Sequence, residues 1–224
     1  MNRAGGDHAA LMDKVYRRQR HIYDLTRKYF LFGRDRLVRE LHAQPGERIV
    51  EIGCGTARNL IRIARANPGV QLYGLDASRE MLRTAEDAVQ KSALEKRIVL
   101  AHGFAERLTP AVFGLAEPFD RAVFSYSLSM IPDWRGALRA AAHAVKPQGL
   151  IQVVDFGDLK GLWPLAERGL RAWLKLFHVA PRDELLSAIQ LGLGDSSALT
   201  LLAGRYAFIL KANPRKILAI VANA

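Results

Sequence analysis

Cysteine is nearly missing from this sequence. Cys54 stands alone in 224 residues, which excludes an internal disulfide and any cysteine-built zinc cluster. Long hydrophobic runs are missing as well: nothing approaches the ~18 consecutive apolar residues of a membrane span. The opening residues Met1-Asn2-Arg3-Ala4-Gly5-Gly6-Asp7-His8 hold no apolar segment of the kind a secretory signal needs. His21, His102, His143 and His178 are too scattered to suggest a metal site. No internal repeat or linker is visible. These absences predict a cytosolic, metal-free globular chain, long enough to bury a core of its own.

Positive charge is what the sequence has in excess. It carries 33 Lys and Arg against 22 Asp and Glu, a net charge of +11. Up to Arg48 the balance is 11 basic residues against 6 acidic. A field of that sign attracts either nucleic acid or an anionic membrane face. An arginine-rich composition without functional meaning is the bland alternative. No RNA-binding module or basic–aromatic repeat is present, which argues against nucleic acid.

Residues 11–41 read as helical, with Val15, Ile22, Tyr23, Leu25, Tyr29, Phe30, Leu37 and Leu41 set among charged neighbours and Gly33 breaking the stretch in two. Five strands then alternate with helices, at residues 48–52, 70–75, 98–101, 121–125 and 150–155, with the turn Lys146-Pro147-Gln148-Gly149 before the fifth. That alternation predicts a parallel sheet covered on both faces. Residues 198–202 and 206–212 flank Gly204 with no room for a helix, so they must form an antiparallel hairpin at the end of the sheet. The stretch 158–190 reads as a helical cap. Its apolar stripe either packs on the sheet or covers a substrate site at a membrane interface.

The sharpest signal is Val50-Glu51-Ile52-Gly53-Cys54-Gly55-Thr56-Ala57-Arg58-Asn59, which follows a strand and opens a helix. Gly53 and Gly55 permit a tight turn and let a ligand lie against bare amides. A dinucleotide loop wants a small residue at the sixth place, where this chain has the bulky Arg58. Asp76 closes the second strand 21 residues past Gly55, the distance at which an acid meets ribose hydroxyls. Its other reading, an N-cap, is weaker because Ser78 follows.

Glu51-x-Gly53-x-Gly55 with Asp76 resembles the class I S-adenosylmethionine-dependent methyltransferases over roughly residues 45–212. The resemblance implies a three-layer α/β/α fold with a seven-stranded, mostly parallel sheet and a C-terminal antiparallel hairpin, in one domain over 1–224. It implies S-adenosyl-L-methionine as cofactor and S-adenosyl-L-homocysteine as product. Glu51, Gly53, Cys54, Gly55 and Asn59 would face the methionine part, and Asp76, Ala77 and Met81 the ribose side. Gly103, Phe104 and Ala105 would surround the adenine, and Ser125 would lie beside the sulfonium. Phe104 departs from the family, where Asp is common, and would stack on the ring instead of bonding it. Strand four ends in Ser125-Tyr126-Ser127-Leu128-Ser129-Met130-Ile131-Pro132. It lacks the Asn/Asp-Pro-Pro-aromatic motif of nucleobase-amine methyltransferases.

A narrower resemblance rests on Met12-Asp13-Lys14-Val15-Tyr16-Arg17-Arg18-Gln19-Arg20-His21-Ile22-Tyr23-Asp24-Leu25, continuing to Asp35, and on Val154-Asp155-Phe156-Gly157. It is similar to the bacterial enzymes that methylate diacylglyceryl-homoserine three times to the betaine lipid diacylglyceryl-trimethylhomoserine. That likeness implies Tyr23 and Tyr126 as catalytic residues. Tyr16, Arg27, Tyr29, Arg34, Ser127 and Ser129 would bind the acceptor. Aromatic faces hold a growing methylammonium by cation–π attraction, and Arg27 or Arg34 suits the homoserine or methionine carboxylate. It also implies a lipid substrate at an anionic surface, with the protein peripheral on the inner face of the cytoplasmic membrane. A phosphatidylethanolamine or quinone methyltransferase is the alternative acceptor reading, and a non-catalytic S-adenosylmethionine-binding protein the alternative outside enzymes.

Overall fold

The structure is a computed structural model that describes residues 31–161, 163, 167–172, 183–193 and 198–223. Its elements run α1 (Arg34–Arg39), β1 (Arg48–Ile52), α2 (Arg58–Ala66), β2 (Gln71–Asp76), α3 (Arg79–Lys91), β3 (Ile98–His102), β4 (Phe119–Ser125), α4 (Trp134–Ala144), β5 (Val145–Phe156), α5 (Asp183–Leu193), β6 (Leu199–Leu202), β7 (Ala207–Ala212) and α6 (Pro214–Ala222). The seven strands form one sheet in the order β3-β2-β1-β4-β5-β7-β6. Strands β1 to β5 pair in parallel, and β7 runs antiparallel to both β5 and β6. The expected mixed sheet with its terminal hairpin is therefore present.

Apolar residues of the central strands alternate between two cores. Val50, Ile52, Phe124 and Val153 point to the face covered by α4, α5 and α6, where Trp134, Leu185 and Ile217 meet them. Ile49, Leu72, Val123 and Val154 point to the face covered by α1, α2 and α3, beside Leu37, Leu60 and Leu82. A sheet covered on both faces needs strands that are apolar on both sides, as these are.

Helix starts follow the sequence chemistry. Ser78 caps α3 by accepting from the Met81 amide, and Asp133 caps α4 by accepting from Gly136. The turn expected at Lys146-Pro147-Gln148-Gly149 is instead the irregular start of β5. Val145 pairs with Phe119, the register shifts before Arg121, and Lys146 bonds Asp120 across the strands. A local turn signature has yielded to a bulged pairing held by an ion pair. Helix α6, which the sequence reading leaves unassigned, starts on the same chemistry: Pro214 at its first turn and Asn213 accepting from Lys216.

Gly33 opens α1 with φ +83, and a Cβ there would meet Leu202 Cδ1 at 2.5 Å and Val154 Cγ2 at 3.2 Å. Both the left-handed backbone and the packing demand glycine. Gly33→Ala is expected to lower unfolding stability by about 1–2 kcal/mol, read as a lower urea midpoint at unchanged slope. An unchanged midpoint would show that this contact is slack.

Candidate active site

Strand order reverses between β1 and β4, where neighbouring connections leave on opposite faces. In open α/β sheets that is where the carboxyl ends of the strands open a crevice. A cleft lies there, lined by Leu31, Arg34, Glu51, Gly53, Cys54, Gly55, Thr56, Arg58, Asn59 and Ser125.

The loop after β1 forms its floor. The Gly53 and Cys54 amides donate to the Leu75 carbonyl, and the Gly55 amide donates to Asp76 Oδ2 at 2.7 Å. Asp76 Oδ1 accepts from the Ser78 amide at 2.9 Å. The carboxylate thus ties the β1 loop to the start of α3. Gly53 has φ +73, and a Cβ on it would fall 2.5 Å from Ser127 Cβ. Bare backbone is required there.

The walls are polar and incompletely bonded. Asn59 Nδ2 donates to Glu51 Oε1 at 2.7 Å, both side chains being buried. Arg34 Nε, Asn59 Oδ1 and Ser125 Oγ are buried at this cleft without a hydrogen-bond partner. Unsatisfied buried polar atoms cost about 1–3 kcal/mol each, so three converging on one cleft mark a place built for a polar ligand. Burial, with Asp76 and Glu51 nearby, pushes the Cys54 thiol well above its ordinary range. It stays protonated and unreactive.

A methyltransferase domain family matches residues 50–151. The chain is 31% identical over 185 residues to the ubiquinone/menaquinone biosynthesis C-methyltransferase UbiE of Syntrophotalea carbinolica, covering 80% of this chain and 72% of that one. It is 29% identical over 175 residues to a demethylmenaquinone methyltransferase of Desulfitobacterium hafniense, covering 73% and 68%. The chain belongs to the class I S-adenosylmethionine-dependent methyltransferases. Among solved structures, the S-adenosylmethionine-dependent methyltransferase SibL shares the fold with a TM-score of 0.62 at 19% identity, covering 86% of this chain and 57% of that one. The cofactor of this methyltransferase is S-adenosylmethionine.

The expected cofactor residues fall into two groups in space. Glu51, Gly53, Cys54, Gly55, Asn59 and Ser125 line the cleft. Ala77, Gly103, Phe104 and Ala105 gather where β2 and β3 end: the Gly103 amide donates to the Asp76 carbonyl, and the His102 ring lies 3.1 Å from the Ala77 carbonyl oxygen. Phe104 is flanked by the His102 ring and the Arg107 guanidinium. Met81 is buried in the first turn of α3.

The expected acceptor residues fare differently. Tyr126 does not line the cleft. It is 2% exposed, donates its hydroxyl to the Phe32 carbonyl and packs edge-on to Phe156 at 4.7 Å. Its left-handed backbone, φ 55, accompanies a side chain in the core beneath α1, and burial raises its phenol well above the ordinary value. Tyr126 anchors the chain ahead of α1 and is not placed to act as a catalytic residue. Ser127 donates its hydroxyl to the Ile52 carbonyl at 2.8 Å, and Ser129 turns to Asp155; neither lines the cleft. Of the remaining expected acceptor residues only Arg34 is at the cleft. Tyr16, Tyr23, Arg27 and Tyr29 lie outside the described residues.

Three cleft residues had no assigned role in the sequence reading: Leu31, Thr56 and Arg58. Arg58 and Thr56 adjoin the glycine motif, so their position was itself a signal. Asp155 was also missed. It is wholly buried at the end of β5 and accepts from the Phe156 amide at 2.8 Å and the Ser129 amide at 3.1 Å. Burial raises its carboxyl to about 6 from an ordinary 3.8, against these hydrogen bonds. The folded state therefore holds this proton more tightly than the unfolded chain. The resulting stabilisation is complete below pH 3.8 and lost as pH rises through about 6. Asp155→Asn does not titrate. Relative to wild type its stability should therefore rise by on the order of 3 kcal/mol between pH 3.5 and 7, measured by urea unfolding at stepped pH. A constant difference between the two proteins would show that Asp155 titrates normally.

Proposed function

We propose that this methyltransferase transfers methyl groups to the headgroup amine of a membrane lipid, with diacylglyceryl-homoserine as acceptor. The observation that carries this reading is the chemistry of the cleft walls. Their one carboxylate, Glu51, is engaged by Asn59, and no histidine lines the cleft among the described residues. Methylation at a ring carbon calls for a base that removes a phenolic proton. An α-amine with an ordinary pKa of about 8 already presents a neutral, nucleophilic fraction at neutral pH. The signature within residues 12–35 supports the same acceptor. A quinone ring carbon is the second reading. It is favoured by the names of both curated relatives, whose likeness weighs more toward a quinone than toward a lipid amine.

S-adenosylmethionine, when bound, supplies an electrophilic methyl group on a sulfonium. The residues here are suited to placement: in-line displacement gains most from holding donor and acceptor in register. In this reading Asp76 would accept the ribose hydroxyls, Glu51, Asn59 and Ser125 would bound the methionine end, and Phe104 would cover the adenine.

Either acceptor is lipid-soluble, so we also propose that the protein works at an anionic membrane face. No helix among the described residues is long and apolar enough to cross a membrane. Phe32 and Trp163 are large exposed apolar side chains, 54% and 77% accessible. Phe32 borders the β6–β7 turn, its ring lying 5.6 Å from that of Tyr206. Lys160 and Arg168 are exposed close by in sequence. Aromatics with neighbouring cations suit a headgroup layer. The double variant Phe32→Ser/Trp163→Ser should lose most sedimentation with phosphatidylglycerol vesicles at low salt. Undiminished sedimentation would remove this surface from membrane binding.

The acceptor is tested by incubating purified protein and labelled S-adenosylmethionine with the homoserine lipid, phosphatidylethanolamine and a demethylated quinol in parallel. Label is expected in the homoserine lipid, rising between pH 7 and 8.5 as the amine becomes neutral. Label in the quinol alone would establish the second reading. Asp76→Ala should weaken S-adenosylhomocysteine binding by about 10- to 100-fold; calorimetry showing wild-type affinity would remove Asp76 from the ribose site.

A further inference from the structure

Tyr126 carries two features that core packing alone does not require. Its backbone is left-handed, φ 55, a conformation that costs a bulky residue energy and persists only where the surroundings impose it. Its hydroxyl sits in an apolar cluster where phenylalanine would fill the same space, and it donates to the Phe32 carbonyl. The two belong together. The Tyr126 amide is held by the Val154 carbonyl at 2.7 Å, while the neighbouring Ser125 lines the cleft and Ser127 abuts Gly53. One residue thus joins the loop after β4 to the chain ahead of α1.

Phe32 lies in the middle of a cleft wall. Leu31 and Arg34 both line the cleft, with Phe32 and Gly33 between them. This short segment is fastened at two points. Gly33 is packed so closely that a Cβ on it would meet Leu202 and Val154. The Phe32 carbonyl takes the Tyr126 hydroxyl, and the Phe32 ring rests edge-on against Tyr206 at 5.6 Å. Tyr206 leads to Phe156 at 5.8 Å, and Phe156 back to Tyr126 at 4.7 Å. Three of these rings are buried, and the hydrogen bond closes the circuit. Edge-on ring contacts have a preferred geometry, so the circuit holds Phe32, and the wall with it, in one place.

We infer that Tyr126 is a positioning residue for the cofactor: its hydroxyl pins the Leu31–Arg34 wall of the cleft without itself touching the ligand. In-line methyl transfer depends on placement, and a wall released at Phe32 gives up the contacts of Leu31 and Arg34 together. Burial raises the phenol well above its ordinary range, so the hydroxyl remains a donor and the role needs no ionisation. The inference rests on the reading that places the cofactor in this cleft.

The test compares wild type, Tyr126→Phe and Phe156→Leu, the last of which loosens the same aromatic cluster but keeps the hydroxyl bond. Tyr126→Phe is expected to weaken S-adenosylhomocysteine about 3- to 10-fold, through faster dissociation. The ratio to wild type should stay constant from about pH 6.5 to 9, and the amides of residues 31–34 should exchange hydrogen faster. Phe156→Leu should lower the urea midpoint at least as far, yet bind S-adenosylhomocysteine like wild type. A purely structural Tyr126 would move the midpoint and leave the affinity alone. The inference is overturned if Tyr126→Phe keeps wild-type affinity while Asp76→Ala loses it. If neither substitution weakens binding, the placement of the cofactor in this cleft falls as well. Equal losses of affinity in Tyr126→Phe and Phe156→Leu would also overturn it, because the effect would then follow core packing and not the hydroxyl.

Discussion

The close approach of two loops, one after β1 and one after β4, is the constraint on which this site depends. Gly53 and Ser127 are so near that a single added carbon on the glycine would fall 2.5 Å from Ser127 Cβ. Ser127 cannot retreat freely, because its hydroxyl is bound to the Ile52 carbonyl. The next residues are held from the third strand: Asp155, buried at the end of β5, accepts from the Ser129 amide. The carboxyl ends of β1, β4 and β5 are thereby locked together at the point where strand order reverses. A close-packed interior offers few ways to absorb a displacement there.

Polar satisfaction elsewhere makes the cleft stand out. Arg97 shows the ordinary condition, donating to the carbonyls of Ala64, Asn67 and Val70. At the cleft, Arg34, Asn59 and Ser125 each keep one buried polar atom unmet. Gln152 in β5 carries two more away from the cleft, so an orphaned atom alone does not make a site. Convergence does, because three such atoms around one volume share one possible ligand. The same walls bring Glu51 together with Arg34 and Arg58, so groups of both charges border one volume.

The strand–helix alternation was legible in the sequence because period and punctuation agreed. Glycine turns, Ser78 as a cap and the short gap around Gly204 each have a local physical meaning that tertiary context did not override. Lys146-Pro147-Gln148-Gly149 misled for the opposite reason: its turn chemistry is local, whereas the bulged pairing with Phe119 and the Asp120 ion pair are not. The glycine loop was legible because backbone demand selects residue type. The acceptor side was not. Tyr126 and Ser127 have side chains that suit binding, but whether they face a cleft or a core depends on a left-handed φ and a neighbour 75 residues earlier in the chain. Asp155 stood in plain view in a quoted motif, yet burial alone gives it its raised pKa and its role, and burial is not written in four residues.

The most direct measurement is S-adenosylhomocysteine affinity in Gly53→Ala and in Gly53→Ala/Ser127→Gly, with circular dichroism to establish that both fold. If the approach of the two loops shapes the cofactor site, the single variant loses binding by at least tenfold. Removing the Ser127 side chain then returns part of it, with the strained φ at residue 53 accounting for the remainder. Wild-type affinity in a folded Gly53→Ala protein would contradict the account, since the cofactor would then not depend on the bare backbone at Gly53.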